Sequence, residues 1–141
     1  MLTVHQKTLV QDSFAIVAPI ADDAAALFYR RLFELDPSLQ GMFRGDMAEQ
    51  RRKLMQMLTA AVKGLDRLDQ LVPVVKDLGR RHATYGVEDR HYETVGAALL
   101  WTLEKGLGKA FTPETKEAWA TVYGILATTM QAAAREALAA A

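Results

Sequence analysis

The chain has 141 residues, enough for one domain with a real core and no need of cross-links. Half of them are hydrophobic and 24% charged, and 17 basic side chains cancel 17 acidic ones. That balance suits an ordinary soluble globule and gives no basic field for holding nucleic acid by its phosphates. Cysteine is absent, which excludes disulfides, thiolate zinc sites and cysteine nucleophiles. Polar residues from His5 to Asp12 break up any signal-peptide block. No apolar run approaches the ~20 residues of a membrane span, so the expectation is a soluble cytoplasmic protein.

Helix formers dominate throughout and strand signals are weak. The first helix is predicted from Thr3 to Val17, with Thr3 and Gln6 forming a capping box and Val10, Phe14 and Val17 facing inward. Pro19 separates it from a second helix over Ile20 to Leu35, which buries Phe28, Leu32 and Leu35 and carries Tyr29 and Phe33 beside them. Asp36-Pro37 reads as the cap and first residue of a short helix ending near Gly41, followed by a loop through Phe43, Arg44 and Gly45. The fourth helix spans Met47 to Leu65. Leu54, Met57, Leu58, Ala61 and Leu65 recur on one face, and Gln50 lies one turn before Leu54. The next presents Leu68, Leu71, Val72, Val75 and Leu78, with His82 continuing the line. Pro73 either starts its regular part or kinks it, and Gly86 closes it. Tyr92, Val95, Leu99 and Leu103 line a sixth helix. Trp119, Val122, Tyr123, Leu126 and Met130 line a last one started by Thr112-Pro113. Periodicity leaves two all-α architectures open, an up-and-down bundle and a crossed-helix arrangement around a pocket.

His82 needs explaining, because an inward-pointing imidazole must satisfy two ring nitrogens. On a helix its Nδ1–H reaches the carbonyl one turn back, that of Leu78, and Nε2 is left as a metal ligand. A core histidine bonded to a neighbour is the simpler alternative. Tyr29 and Gln50 are polar heads on otherwise apolar stripes, and each needs a partner if buried, at a cost of roughly 1–3 kcal/mol without one. A surface hydroxyl and a solvated first-turn amide would satisfy the same sequence. The three histidines show no metal-site spacing, and GxSxG and glycine-rich phosphate loops are absent.

Together these residues resemble a known family. Leu27-Phe28-Tyr29-Arg30-Arg31-Leu32-Phe33, then Pro37 and Met42-Phe43, look like the second helix and following corner of bacterial globins. Gln50-Arg51-Arg52-Lys53-Leu54 is similar to their distal helix. Leu78-Gly79-Arg80-Arg81-His82, with Tyr92, Val95 and Gly96, resembles the proximal helix and its successor. Ala118-Trp119 and Tyr123-Gly124 are close to the last helix of flavohaemoglobin globin domains and their single-domain relatives. The match runs in order over essentially the whole chain.

The resemblance implies a globin fold of six or seven helices over residues 1–141, with no reductase or sensor output domain. It implies haem b with His82 as the proximal iron ligand, Phe43 packed on the haem, and Tyr29 and Gln50 as the hydrogen-bonding pair on the opposite face. Leu54 would be the apolar wall beside the gas. Leu78, Val87, Val95, Leu99 and Leu126 would pack on the haem, with Lys53 or Arg81 reaching a propionate. In flavohaemoglobins a glutamate of the last helix pairs with the tyrosine matching Tyr92 and with the proximal histidine. Its position here is Ala134, so His82 is expected to be less anionic and to donate less electron density to iron. The function implied is reversible binding of oxygen, and of NO and CO, at a five-coordinate iron, for oxygen storage or transport. The alternative is an NO dioxygenase served by a separate reductase, since the chain carries no electron supply of its own. A haem-free sensor or interaction module is a third class, with no use for the histidine or the distal pair. Monomer and homodimer both remain open.

Overall fold

The computed structural model describes residues 2–43 and 45–140. Arg44 of the expected corner loop, and Met1 and Ala141 at the ends of the expected domain, lie outside them. The helices are α1 Val4–Val17, α2 Ala21–Leu35, α3 Met47–Lys63, α4 Leu68–Thr84, α5 Asp89–Leu107 and α6 Pro113–Ala140, joined by short 3-10 turns. No strand occurs among the described residues, and no helix there is long and apolar enough to cross a membrane.

The starts follow the side chains that can satisfy free N–H groups. Thr3 and Gln6 form the predicted capping box, Asp46 accepts from the Ala48 N–H at 2.9 Å, and Thr112 accepts from the Thr115 N–H at 3.1 Å. Asp36 accepts from both the N–H and the hydroxyl of Ser38, and the hydroxyl bond is the main reason its carboxyl lies below the usual range.

Several boundaries differ from the sequence reading. Ile20 belongs to a 3-10 turn, Ala18–Ile20, that precedes α2. Leu65 is buried from the turn Gly64–Asp66, not from α3. Pro73 does not start α4, which begins at Leu68 and carries the proline inside it. The ring is exposed there, and its missing N–H withholds one bond, to the Asp69 carbonyl. Leu35 is 42% exposed, because it ends α2 where the chain turns away through Asp36-Pro37.

Helices that are not neighbours in sequence supply the principal packing, α4 on α6, α2 on α5 and α1 on α6, with the neighbours α2 and α3 next. An up-and-down bundle, which packs neighbours in succession, is thereby excluded. Where α4 crosses α6, Gly79 lies against the Met130 backbone. The core gathers Val10, Phe14, Val17, Phe28, Leu32, Leu103, Trp119 and Val122.

Trp119 is 2% exposed, and its indole N–H donates to the Ser13 hydroxyl at 2.8 Å, joining α6 to α1. Ser13→Ala should therefore strand a buried donor and destabilise the fold by about 1–3 kcal/mol. Urea unfolding should show a lower midpoint with an unchanged slope; an unchanged midpoint would mean that the indole finds another acceptor.

Candidate functional site

α4 buries Leu71 and Val75, and its line then emerges half-buried at Leu78 and His82. The His82 Nδ1 lies 2.8 Å from the Leu78 carbonyl oxygen. A carbonyl can only accept, so Nδ1 carries the proton and Nε2 keeps its lone pair. Burial lowers the imidazole pKa, outweighing the Leu78 bond that favours the charged form, and Arg81 lowers it further. The ring is therefore neutral near pH 7, as a metal ligand must be. Nε2 has no hydrogen-bond partner among the described residues.

The chain locks this residue just beyond. Gly86, at φ +84°, lets the backbone reverse so that the Val87 N–H reaches the His82 carbonyl at 3.2 Å and the Gly86 N–H reaches that of Ala83 at 3.2 Å. This is a Schellman cap, and it fixes the end of the helix that presents the imidazole.

Tyr29 projects from α2 and is 8% exposed. Its ring stands edge-on to Phe28 and Phe43, with centroids 5.1 and 5.3 Å away, and Phe33 packs edge-on to Phe43 at 5.5 Å. Burial pushes the phenol up to about 12, so it remains a neutral donor at any physiological pH. Its hydroxyl donates over a long 3.4 Å to the backbone carbonyl of Gln50. The Gln50 side-chain amide, half-buried in the first turn of α3, makes no hydrogen bond among the described residues. Tyr29, Phe43 and Gln50 are thus brought together as expected, with Leu54 half-buried one turn along α3.

The remaining candidates divide. Val87, Val95 and Leu126 are half-buried, like Leu78, and Leu99 is buried. Tyr92 is buried, with a hydroxyl that has no partner among the described residues, while its carbonyl accepts from Tyr123 at 2.5 Å. Lys53 and Arg81 are exposed; Arg81 pairs with Asp77 at 3.3 Å. Gly79, three residues before His82, went unrecognised as a packing position. An interior helical glycine without a turn to make was the available signal.

α3 packs on α2 and α4 on α6, and α3 and α4 are linked mainly through the turn that joins them. Phe43, Leu54, Val95 and Leu126 are half-buried where they pack against the core. Among the described residues no group of three or more His, Cys, Asp or Glu could hold a metal ion. A lone imidazole Nε2 therefore matches no bare ion. It would suit haem, which brings four ring nitrogens of its own and would ask the protein for one further nitrogen ligand and apolar surroundings. The residues present fit that group.

Comparison with known proteins agrees. The Globin family profile matches residues 26–130, and the chain belongs to that family. It is 33% identical over 143 residues to a neuroglobin of Danio rerio, covering 92% of this chain and 90% of that one. It is 30% identical over 122 residues to a flavohemoprotein of Bacillus subtilis, 84% of this chain and 31% of that protein. A flavohemoprotein of Rhizobium meliloti is 32% identical over 130 residues, 90% and 32% of the two chains. The chain spans about a third of the length of these flavohemoproteins.

Proposed function

We propose that residues 1–141 form one globin domain that holds haem b through His82 and reversibly binds oxygen and other diatomic gases. The observation that carries this is the His82 ring, with Nδ1–H committed to Leu78 at 2.8 Å and Nε2 left free. When bound, the haem supplies an iron with one open position at which a small gas is taken up and released. His82 holds the iron from one side, with its tautomer and ring plane set by the Leu78 bond. Phe43, Leu54, Leu78, Val87, Val95, Leu99 and Leu126 exclude water around the ring, and Lys53 or Arg81 reaches a propionate.

Tyr29 and Gln50 do the polar work on the other side. The phenol is neutral, its bond to the Gln50 carbonyl is long, and the Gln50 amide is uncommitted, so both can donate to a partly negative oxygen atom. One such bond at ~1.5–3 kcal/mol corresponds to roughly 10- to 100-fold in affinity. Tyr29→Phe should accordingly raise the oxygen off-rate by about 10- to 100-fold in stopped-flow measurements. An unchanged rate would remove Tyr29 from this role.

The His82 Nδ1–H donates to a neutral carbonyl, and the Tyr92 hydroxyl makes no hydrogen bond among the described residues. Ala134 is consistent with this. Such a histidine is a modest electron donor, which supports holding a gas over cleaving it. NO dioxygenation would need a separate reductase as partner; sustained NO consumption on adding one would bring that activity in.

A further inference from the structure

The start of α5 is closed by a histidine that the gas site does not use. Glu88, the residue before the helix, donates its backbone N–H to Nδ1 of His91 at 2.9 Å. α1 begins in the same way, with the Thr3 N–H donating to the side-chain oxygen of Gln6 at 3.0 Å. Each is the return bond of a capping box, in which the third helical residue reaches back to the cap. The difference is chemical. An amide oxygen accepts at every pH, whereas a ring nitrogen accepts only while it carries no proton. A backbone N–H can only donate, so the bond fixes His91 as neutral, with its proton on Nε2.

His91 is 5% exposed, and charged groups lie around it. The Glu88 carboxylate is 3.8 Å from Nε2, and Arg90 donates to the same carboxylate oxygen at 3.0 Å. Asp89 pairs with Arg135 of α6 at 3.4 Å. From the end of α2 comes Asp36, 3.9 Å from Arg90, with a carboxyl that feels the charge of both Arg90 and His91. A proton on Nδ1 would face the Glu88 N–H donor against donor, while two carboxylates stand by to accept from the charged ring. We propose that His91 is a proton-sensitive clasp on the start of α5. Neutral, it holds the Glu88 N–H and keeps the corner between α4 and α5 closed; on taking a proton at Nδ1 it releases that N–H and offers its ring donors to Glu88 and Asp36. The corner matters because Val87, one residue earlier, holds the His82 carbonyl through its own N–H at 3.2 Å. Acid thus loosens the connection next to the candidate iron ligand, and only this last consequence rests on the haem reading.

NMR on the purified protein from about pH 8 to about pH 5 tests this, with readouts that do not require iron. The His91 15N signals should show Nδ1 without a proton at the upper end and with one at the lower. The Glu88 amide proton should move upfield with the same midpoint. Its exchange protection, corrected for the intrinsic rate at each pH, should fall by about tenfold. His91→Gln supplies the acceptor that α1 uses and should hold the Glu88 amide in place across the range. His91→Ala should leave that amide released at both ends. A Glu88 amide that stays still while His91 titrates overturns the clasp, as does a ring that never takes the proton. Movement that survives in His91→Gln would belong to Glu88, Asp36 or His82 and overturns it equally.

Discussion

Replacing His82 by alanine should abolish stable haem retention, with haem transferring to an acceptor apoprotein far faster than from the wild type. Losing an outer-shell partner of a metal ligand typically costs 10- to 100-fold in affinity, and losing the one protein ligand should exceed roughly 100-fold. Added imidazole should restore much of the absorbance, because the space and the Leu78 carbonyl remain. Retention unchanged in the variant would place the iron elsewhere. The same residue predicts a pH dependence. Its folded pKa lies below the ordinary 6.5, so between those values the unfolded chain binds more protons than the folded one. Stability therefore rises with pH in that window and falls on acidification below about 6.5. Iron at Nε2 would hold the lone pair that the proton takes, so this window belongs to the metal-free chain, and a stability of that chain that stays flat from pH 7 to the folded pKa would show that His82 does not titrate there.

The second large effect concerns the helix that carries His82. A Cβ added at Gly79 would stand 2.7 Å from the Met130 Cα, and closer still to that residue's carbonyl oxygen. Alanine ordinarily favours a helix by about 1 kcal/mol over glycine. Here the clash is with backbone, which cannot rotate aside, and overpacking of this kind costs about 1–3 kcal/mol or more. Gly79→Ala should come out destabilised, with a thermal midpoint lower by roughly 5 °C or more. Gly124→Ala is the internal comparison, since nothing lies within 4 Å of its added Cβ; it should be neutral or slightly stabilising. Equal midpoints for the two variants would mean that α4 can lift off α6 freely. Because His82 follows Gly79 by one turn, the Gly79 variant should also hold haem more weakly.

What the sequence revealed depended on whether the signal was local. Thr3 with Gln6, Asp36 with Pro37, Thr112 with Pro113, and Gly86 all act within a few residues of themselves, and each stands where its chemistry places it. The His82–Leu78 bond was legible for the same reason, because a helix sets the reach of residue i to i−4. The proximity of Tyr29 to Gln50 joins two helices, and only the ordered likeness to globins brought them together in advance. Of the two readings of Pro73, a helix start fails because α4 begins before it, on residues 68–72, with the ring turned to solvent. Leu35 fits its apolar stripe, but the helix ends there and leaves nothing to cover it. Gly79 and Ser13 owe their roles to residues 51 and 106 positions away across the fold, which no periodicity encodes.

The most direct measurement is a haemin titration of the purified chain followed by reduction under CO. The globin reading predicts a Soret band that grows linearly to a break at one equivalent and then shifts and sharpens with CO. A colourless protein that takes up no haemin, or uptake without a break, would contradict it.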